Sequence, residues 1–459
     1  MDAARAERWG VVALAAALVA GRGWAAASLD PLADEAYHWV WSRELAWGYY
    51  DQPPFVALAI RLGEEALGHG AFAARLPGLL LSAAGAAALL RHAGDGGTFV
   101  RLFLGLPALA FLGTLAVPDA SLLGWWALCT AAALHGGRGW WAAGVFAGLA
   151  TLSKHDGALL YPALWLAAPE RRSRDVAVGA ALGALVVAPH AWWLAGHGAA
   201  PLWFQLGENL AHPRPPGWLG PVRWLGEQVG LALVAPALGA AVATARALRG
   251  GDRVERLLVA SSLPVAAAFL LASPLAPPEA HWPAPFWVGG AVLASRLRGR
   301  WGDAVAVGSW LAVFASAALF VHAARPLARW PGDPGTRFTE GRVLADVVAR
   351  EVLPEGVGPW EPRAEQVADV FTERYQEASL VEWHTGVPAR VFPGCGRPSQ
   401  DSLRPPVEPP AELWFVRPLR SGPPGCVRGY AGRGRVIREQ DAFGRALPPV
   451  EVFRMGWLP

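Results

Sequence analysis

The sequence predicts a polytopic α-helical membrane protein with a small soluble α/β domain at its C-terminal end. Three observations predict it. The chain of 459 residues is 53% hydrophobic with a mean hydropathy of +0.28, more apolar mass than a water-soluble chain of this length usually carries. Apolar runs of about 18 residues with few charges recur through the first two thirds of the chain. After residue 324 no long apolar run remains, and proline, arginine and acidic residues rise.

Eleven apolar segments are expected as spans: 9–27, 72–90, 99–116, 119–134, 139–152, 157–168, 176–195, 222–245, 257–273, 283–296 and 303–323. The first follows a short basic stretch with Arg5 and Arg8. A signal peptide looks similar, but no small-residue cleavage site is followed here by a soluble domain, so a retained helix is expected. Segments 139–152 and 157–168 are short for a hydrocarbon core of about 30 Å. They read as tilted spans or as one broken helix, and the count between 117 and 170 can shift by one.

Counted from a cytoplasmic N-terminus, the connections that carry Arg91, Arg138, Arg171 to Arg174, Arg246 to Arg256 and Arg296 to Arg300 all fall on the cytoplasmic side. That is the positive-inside bias of short loops. The other connections, 28–71, 117–119, 153–156, 196–221 and 274–282, hold acids, histidines and prolines and face outward. An odd span count places residues 325–459 outside as well. There, 341–353 and 364–386 read as helices, and 389–394 and 411–418 as strands. The chain thus divides into a membrane domain, 1–324, with a polar first outer loop at 28–71, and a soluble domain, 325–459. The formal charge of +3 says little by itself, and no nucleic-acid partner is expected. Membrane lipids are.

The outward connections gather the chemistry-bearing residues. Asp34, Glu35 and Asp51 lie in the first loop. Arg75 opens the second span, and Asp119 follows Pro118. Lys154, His155 and Asp156 form one short turn; Glu279, His281 and Trp282 form another. Ionisable groups at membrane depth are costly and usually face a cavity or a partner. Lys154 is the only lysine among 40 Lys and Arg residues. It is either a snorkelling interfacial side chain or a compact point charge for a phosphate. Asp34 can cap the short helix expected over 35–45 as well as act in catalysis. Tyr37, Tyr50 and the neighbouring tryptophans suit an interface belt or a sugar-stacking surface. Glu373, Arg374, Tyr375 and Gln376 read equally as a solvated helix surface. Cys129 reads as packing. Cys395 and Cys426 share the soluble domain, where an oxidising compartment permits a disulfide.

The stretch LADEAYHWVWSRELAWGYYDQPPFVALAI resembles the first outer loop of bacterial GT-C glycosyltransferases, the polyprenyl-phosphate-sugar enzymes related to protein O-mannosyltransferases and the lipid A aminoarabinose transferase. RLPGLLL (75–81), VPDASLLGWWAL (117–128), LATLSKHDGALLYPAL (149–164) and EAHWPAPFW (279–287) continue the resemblance in order. TERYQEASLVEWHTG (372–386) and GCGRPSQDSL (394–403) resemble the outer soluble segment of one bacterial branch. The resemblance implies a GT-C fold in the bacterial cytoplasmic (inner) membrane, with its soluble domain periplasmic. It implies a sugar donor carried on a polyprenyl phosphate, undecaprenyl phosphate in most bacteria, and a lipid, glycan or protein acceptor. The acceptor attacks C1 with inversion.

By that resemblance Asp34 is the candidate base, with Glu35 beside it. Lys154, Arg75 and His155 are candidates for the donor phosphate. Tyr37, Tyr50, Asp51, Asp119, Glu279, His281 and Trp282 are candidates for substrate contacts. Some relatives use a divalent cation. Asp34, Glu35, Asp51 and Asp119 offer oxygen ligands for Mg or Mn, without a diagnostic spacing. Two positions depart from the family pattern: Gln52 stands where histidine is common, and His155 where tyrosine is. A transporter or flippase for a lipid-linked sugar is the alternative reading, although no inverted repeat is visible. A non-catalytic sugar-binding or assembly factor is a third.

Overall fold

The computed structural model describes residues 3–204, 217–275, 278–354, 357–361, 370–397, 399–403, 408–418, 426–427 and 430–457. Parts of the expected connections 196–221 and 274–282, and residues 364–369 of the expected helix 364–386, lie outside the described residues. The chain forms two compact units. One comprises residues 1–26 and 46–319, the other residues 27–45 and 320–459.

The first unit is helical. Among the described residues, five helices are long and apolar enough to cross a membrane: Arg5–Ser28, Ala71–Leu90, Arg174–Gly196, Arg253–Ala272 and Arg300–Ala324. Leu219–Ala232 and Val234–Gly250 qualify only as a pair, bent by 112°. The multi-pass reading holds, but eleven separate full-length spans are not what the helices show.

The breaks have local causes. The expected span 99–116 is two helices, Gly96–Gly105 and Pro107–Leu112, because Leu106 is extended ahead of a proline. The expected span 222–245 breaks at Leu233, whose φ is 64°. The expected span 157–168 is a 3-10 turn, His155–Leu159, running into Leu160–Ala167. A helix at Phe55–Leu67 lies inside what the sequence suggested was an outer loop.

Small residues let the helices close up. A Cβ on Gly144 would lie 1.8 Å from the Gly179 carbonyl oxygen, and one on Gly179 would lie 2.1 Å from that of Trp140. The Gly139–Ser153 and Arg174–Gly196 helices therefore touch backbone to backbone, as membrane helices do through small residues. Buried polar groups tie the bundle further. Arg22 donates to Ser82 Oγ at 2.8 Å and to Thr114 Oγ1 at 3.0 Å. Arg101 donates to Ser309 Oγ at 2.8 Å. Arg253 donates to the Leu134 carbonyl at 2.8 Å and pairs with Glu170 at 2.6 Å, satisfying the C-terminal end of the Pro118–His135 helix.

The second unit is α/β. Its five strands are β1 (Val370–Thr372), β2 (Ala389–Val391), β3 (Glu412–Pro418), β4 (Tyr430–Ile437) and β5 (Val450–Trp457), in the order β2-β1-β3-β5-β4. β1 runs parallel to β2 and β3, and the remaining pairs are antiparallel. The expected helix 364–386 is in fact β1 followed by the helix Tyr375–Thr385, which Gly386 ends at a left-handed φ of 72°. The expected helix 341–353 is found at Glu340–Glu351.

Phe371, Phe392, Leu413, Phe415 and Met455 form the sheet core. Beside them Cys395 and Cys426 are joined in a disulfide with Cα atoms 5.1 Å apart. The first-loop helix, Ala33–Arg43, belongs to this unit. Trp39 meets Trp383 edge-on at 5.2 Å, and Tyr37 packs on Tyr375 at 4.2 Å.

A buried ion network closes the unit. Arg445 pairs with Asp333 at 2.8 Å and with Asp441 at 2.6 Å. Burial alone would raise both carboxyls, but hydrogen bonds from Arg445 and from backbone N–H groups hold both below the usual range. A carboxyl depressed on folding stabilises the fold above its unfolded pKa, about 4, and loses that contribution as pH falls through its folded value. Hydrogen-exchange protection factors of peptides spanning 333–348, corrected for the intrinsic pH dependence of exchange, should therefore be flat from pH 7 to 5 and fall below about pH 4. Asp333→Asn should blunt that acid response.

Candidate active site

In the first unit, charged residues meet at helix ends. Pro118 is at the first position of the Pro118–His135 helix, where its missing N–H costs nothing. Asp119 follows in the first turn, where a carboxylate is favoured by the helix dipole. Lys154 ends the Gly139–Ser153 helix in an extended conformation. Gly157 then folds the chain back so tightly that a Cβ there would lie 2.3 Å from the Ala150 carbonyl carbon. His281 and Trp282 precede the Pro285–Ser295 helix.

These elements build one cluster. Lys154 Nζ donates to Asp119 Oδ1 at 2.9 Å and lies 3.8 Å from Asp156 Oδ2. His281 Nε2 is 4.0 Å from Asp119 Oδ2, and His281 Nδ1 is 3.5 Å from Glu279. The ammonium sits 5.9 Å from the Trp282 ring centre, within cation–π range. Lys154 is 8% exposed and Asp119 4%, so the pair is screened from water.

Burial by itself would lower the Lys154 ammonium, yet Asp119 and Asp156 outweigh it and hold it above its ordinary value. Burial raises the Asp156 carboxyl in spite of Lys154. One ammonium faces the acids Asp119 and Asp156, with Glu279 further off. Acids outnumber the lysine, and a proton on Asp156 lessens that surplus without removing it.

His155 is adjacent in sequence but turns to a different partner. Its Nε2 is 3.4 Å from His190 Nε2, and His190 Nδ1 is 2.7 Å from the Trp47 carbonyl. Burial, then His190, pushes His155 down to about 4. The His155 ring thus faces His190, while the Lys154 ammonium faces Asp119. His190 gave no warning in the sequence, because it sits within an otherwise apolar helix. Arg75 is 1% exposed, and its Nη1 donates to the Ala26 carbonyl at 2.9 Å. Tyr50 packs on Phe204 at 5.1 Å. Asp51 is half-buried in the same unit.

Asp34, Glu35 and Tyr37 belong to the second unit. Glu35 makes a helix-start bond: its carboxylate accepts the Leu32 N–H at 3.0 Å. The Tyr37 hydroxyl accepts the Gln400 N–H at 2.8 Å, and the ring is buried. Asp34 lines a cavity of about 430 Å³ with Arg337, Glu340, Arg374, Gln376 and Glu377. Arg374 and Gln376, readable in the sequence as a plain helix surface, thus face the same space as the candidate base. Among the described residues no three His, Cys, Asp or Glu side chains are grouped to hold a metal ion.

A helical bundle of this kind, with several helices long and apolar enough to cross a membrane, defines a multi-pass membrane protein. Residues 51–193 match the model of the dolichyl-phosphate-mannose-protein mannosyltransferase family. The lipid A galacturonosyltransferase RgtD of Rhizobium johnstonii is 30% identical over 297 residues, covering 58% of this chain and 60% of that protein. The chain therefore spans about three fifths of the curated relative it matches.

ArnT from Cupriavidus metallidurans superposes with a TM-score of 0.65 in the apo state, at 14% identity, over 97% of this chain and 98% of that one. The same protein bound to undecaprenyl phosphate gives 0.64, at 14% identity, over 96% and 97%. The oligosaccharyltransferase AglB from Archaeoglobus fulgidus gives 0.51, at 11% identity, over 84% and 65%. The structural likenesses carry the fold. Together with the family match and RgtD, they bear out the resemblance to bacterial GT-C glycosyltransferases.

Removing one partner of a buried ion pair strands the other charge, at a cost of about 3–5 kcal/mol. Lys154→Met should lower the melting temperature of the detergent-solubilised protein sharply. Lys154→Met with Asp119→Asn should recover much of that loss. Equal melting of the single and double variants would contradict a coupled pair.

Proposed function

We propose that this protein is an integral membrane glycosyltransferase that moves a sugar from a polyprenyl-phosphate donor to an acceptor on the outer face of the cytoplasmic membrane. The observation that carries the reading is the Lys154–Asp119 cluster. Both residues fall inside the stretch 51–193 that matches the mannosyltransferase family. The name of the relative RgtD makes a glycolipid of the lipid A kind the first acceptor to test. The second unit then lies in the periplasm, which suits its disulfide.

The chemistry assigns the roles. The acceptor oxygen attacks C1 of the sugar, the C1–O bond to the phosphate breaks, and its electron pair stays on the phosphate. Asp34 takes the acceptor's proton. Lys154 holds the phosphate as negative charge builds on it. Lys154 is already paired, so the phosphate competes with Asp119 and Asp156 for the ammonium. Protonation of Asp156, which burial favours, frees part of that charge.

Asp34→Asn should cut transfer about 100-fold or more while the protein still inserts. A variant that turns over like the wild type removes Asp34 as base. The competition at Lys154 makes a second, opposite pair of outcomes. Lys154→Met should raise the KM for the polyprenyl-phosphate donor, and Asp156→Asn should lower it. A raised donor KM in Asp156→Asn would show that the acid, not the ammonium alone, serves the donor. The transporter reading gains no support from the likenesses. Movement of lipid-linked sugar across reconstituted vesicles without any transfer would restore it.

A further inference from the structure

A second charged pocket lies at the other end of the helix that the Lys154 cluster precedes. The Pro285–Ser295 helix begins beside His281 and Trp282 and ends at Arg296. There two connections are stitched together. The Asp95 N–H donates to the Ser295 carbonyl at 3.0 Å, the Gly94 N–H to Ser295 Oγ at 3.3 Å, and Arg298 to the Gly94 carbonyl at 3.1 Å. A Cβ on Gly94 would lie 2.6 Å from the Arg296 Cα, so only glycine permits this closeness. The result is an open pocket of about 440 Å³, lined by Arg91, His92, Val254, Glu255, Arg296 and Arg298 among others.

Its charges are unevenly matched. Arg296 is satisfied by Asp252 at 3.0 Å and by Glu255 at 3.9 Å. Those two acids are also committed to each other's backbone at the start of the Arg253–Ala272 helix. Arg91 and Arg298 have no carboxylate within ion-pair distance among the described residues. Among the described residues, the side chain of Arg91 bonds to His92 Nε2, at 3.0 Å. That imidazole accepts, and burial followed by Arg91 and Arg296 keeps it below its usual pKa, as a positive field requires. The lining thus carries three guanidiniums against one carboxylate. Arg91 follows the end of the apolar helix Ala71–Leu90, and Arg296 and Arg298 lie in the connection after the apolar helix Pro285–Ser295.

We propose that this pocket binds a phosphate-bearing anion through Arg91 and Arg298. Guanidiniums pair bidentately with phosphate oxygens. Basic pockets between membrane helices hold anionic headgroups in the same way. The volume is ample for a phosphodiester headgroup. The site is separate from the Lys154 cluster and does not depend on the proposed transfer reaction.

The test is native mass spectrometry of the full chain in detergent, titrated with phosphatidylglycerol, phosphatidylcholine and inorganic phosphate. Wild type should retain phosphatidylglycerol roughly tenfold better than phosphatidylcholine. Arg91→Gln with Arg298→Gln should lose that preference. Arg246→Gln removes an exposed arginine outside the pocket and should keep it. Glu255→Gln removes the opposing charge and should strengthen retention, which decides the matter if the double variant is poorly folded. Displacement of the lipid by inorganic phosphate would identify a soluble phosphate as the ligand. No displacement would identify the headgroup. Retention in the double variant equal to wild type, or no gain in Glu255→Gln, overturns the proposal.

Discussion

The first unit depends on one interaction, the buried contact between Lys154 and Asp119. Each alone would be a charge taken out of water without compensation. Together they fix three connections: the start of one helix, the end of another and the turn before a third. Asp119 is placed by its helix and Lys154 by the end of its own. Gly157 allows the chain to turn under the lysine. The surplus of carboxylates around one ammonium makes the cluster responsive. A proton on Asp156 removes one of the charges that compete for Lys154. A longer, forked arginine at this position would have to fit its donors to the same acids, so a lone lysine in an arginine-rich chain has a physical reason.

The acids and the lysine were legible in the sequence because polar residues at the edges of apolar runs stand out. Lys154, Asp119, His281 and Trp282 do meet. What the sequence concealed was direction. His155 and Lys154 are neighbours in the chain, but the 3-10 turn sends the imidazole to His190 and the ammonium to Asp119. Arg75 was readable as a cation, not as a donor to the Ala26 carbonyl. Glu35 was readable as an acid, not as the group that fastens the start of its helix.

The fold was legible in class and less so in its elements. Apolar composition announces helices but not where they break. Leu106 before proline is a readable break; Leu233 at positive φ is not, because nothing in leucine favours it. The strands Tyr430–Ile437 and Val450–Trp457 escaped notice. GYAGRGRVI reads as loop by its glycines and arginines, and it becomes a strand only because β5 supplies its hydrogen bonds. A close approach explains one of those glycines: a Cβ on Gly432 would lie 2.1 Å from the Arg454 carbonyl oxygen.

Charge in the first unit is handled in two ways, and the difference separates structure from chemistry. Arg22 is buried among neutral partners, the hydroxyls of Ser82 and Thr114. Short, fixed, neutral acceptors hold a cation without offering it an alternative, so such a residue binds helices together. Lys154 is buried among acids of unequal strength, one at 2.9 Å and one at 3.8 Å. Two charged partners give a cation a second acid to turn to when the first is engaged. On the proposed reading, a group that receives a phosphate and releases it again needs such an alternative, since an ammonium held by a single ideal partner would bind nothing else. By the same physics, Arg22 acts as scaffold, and the role proposed for Lys154 fits its divided contacts.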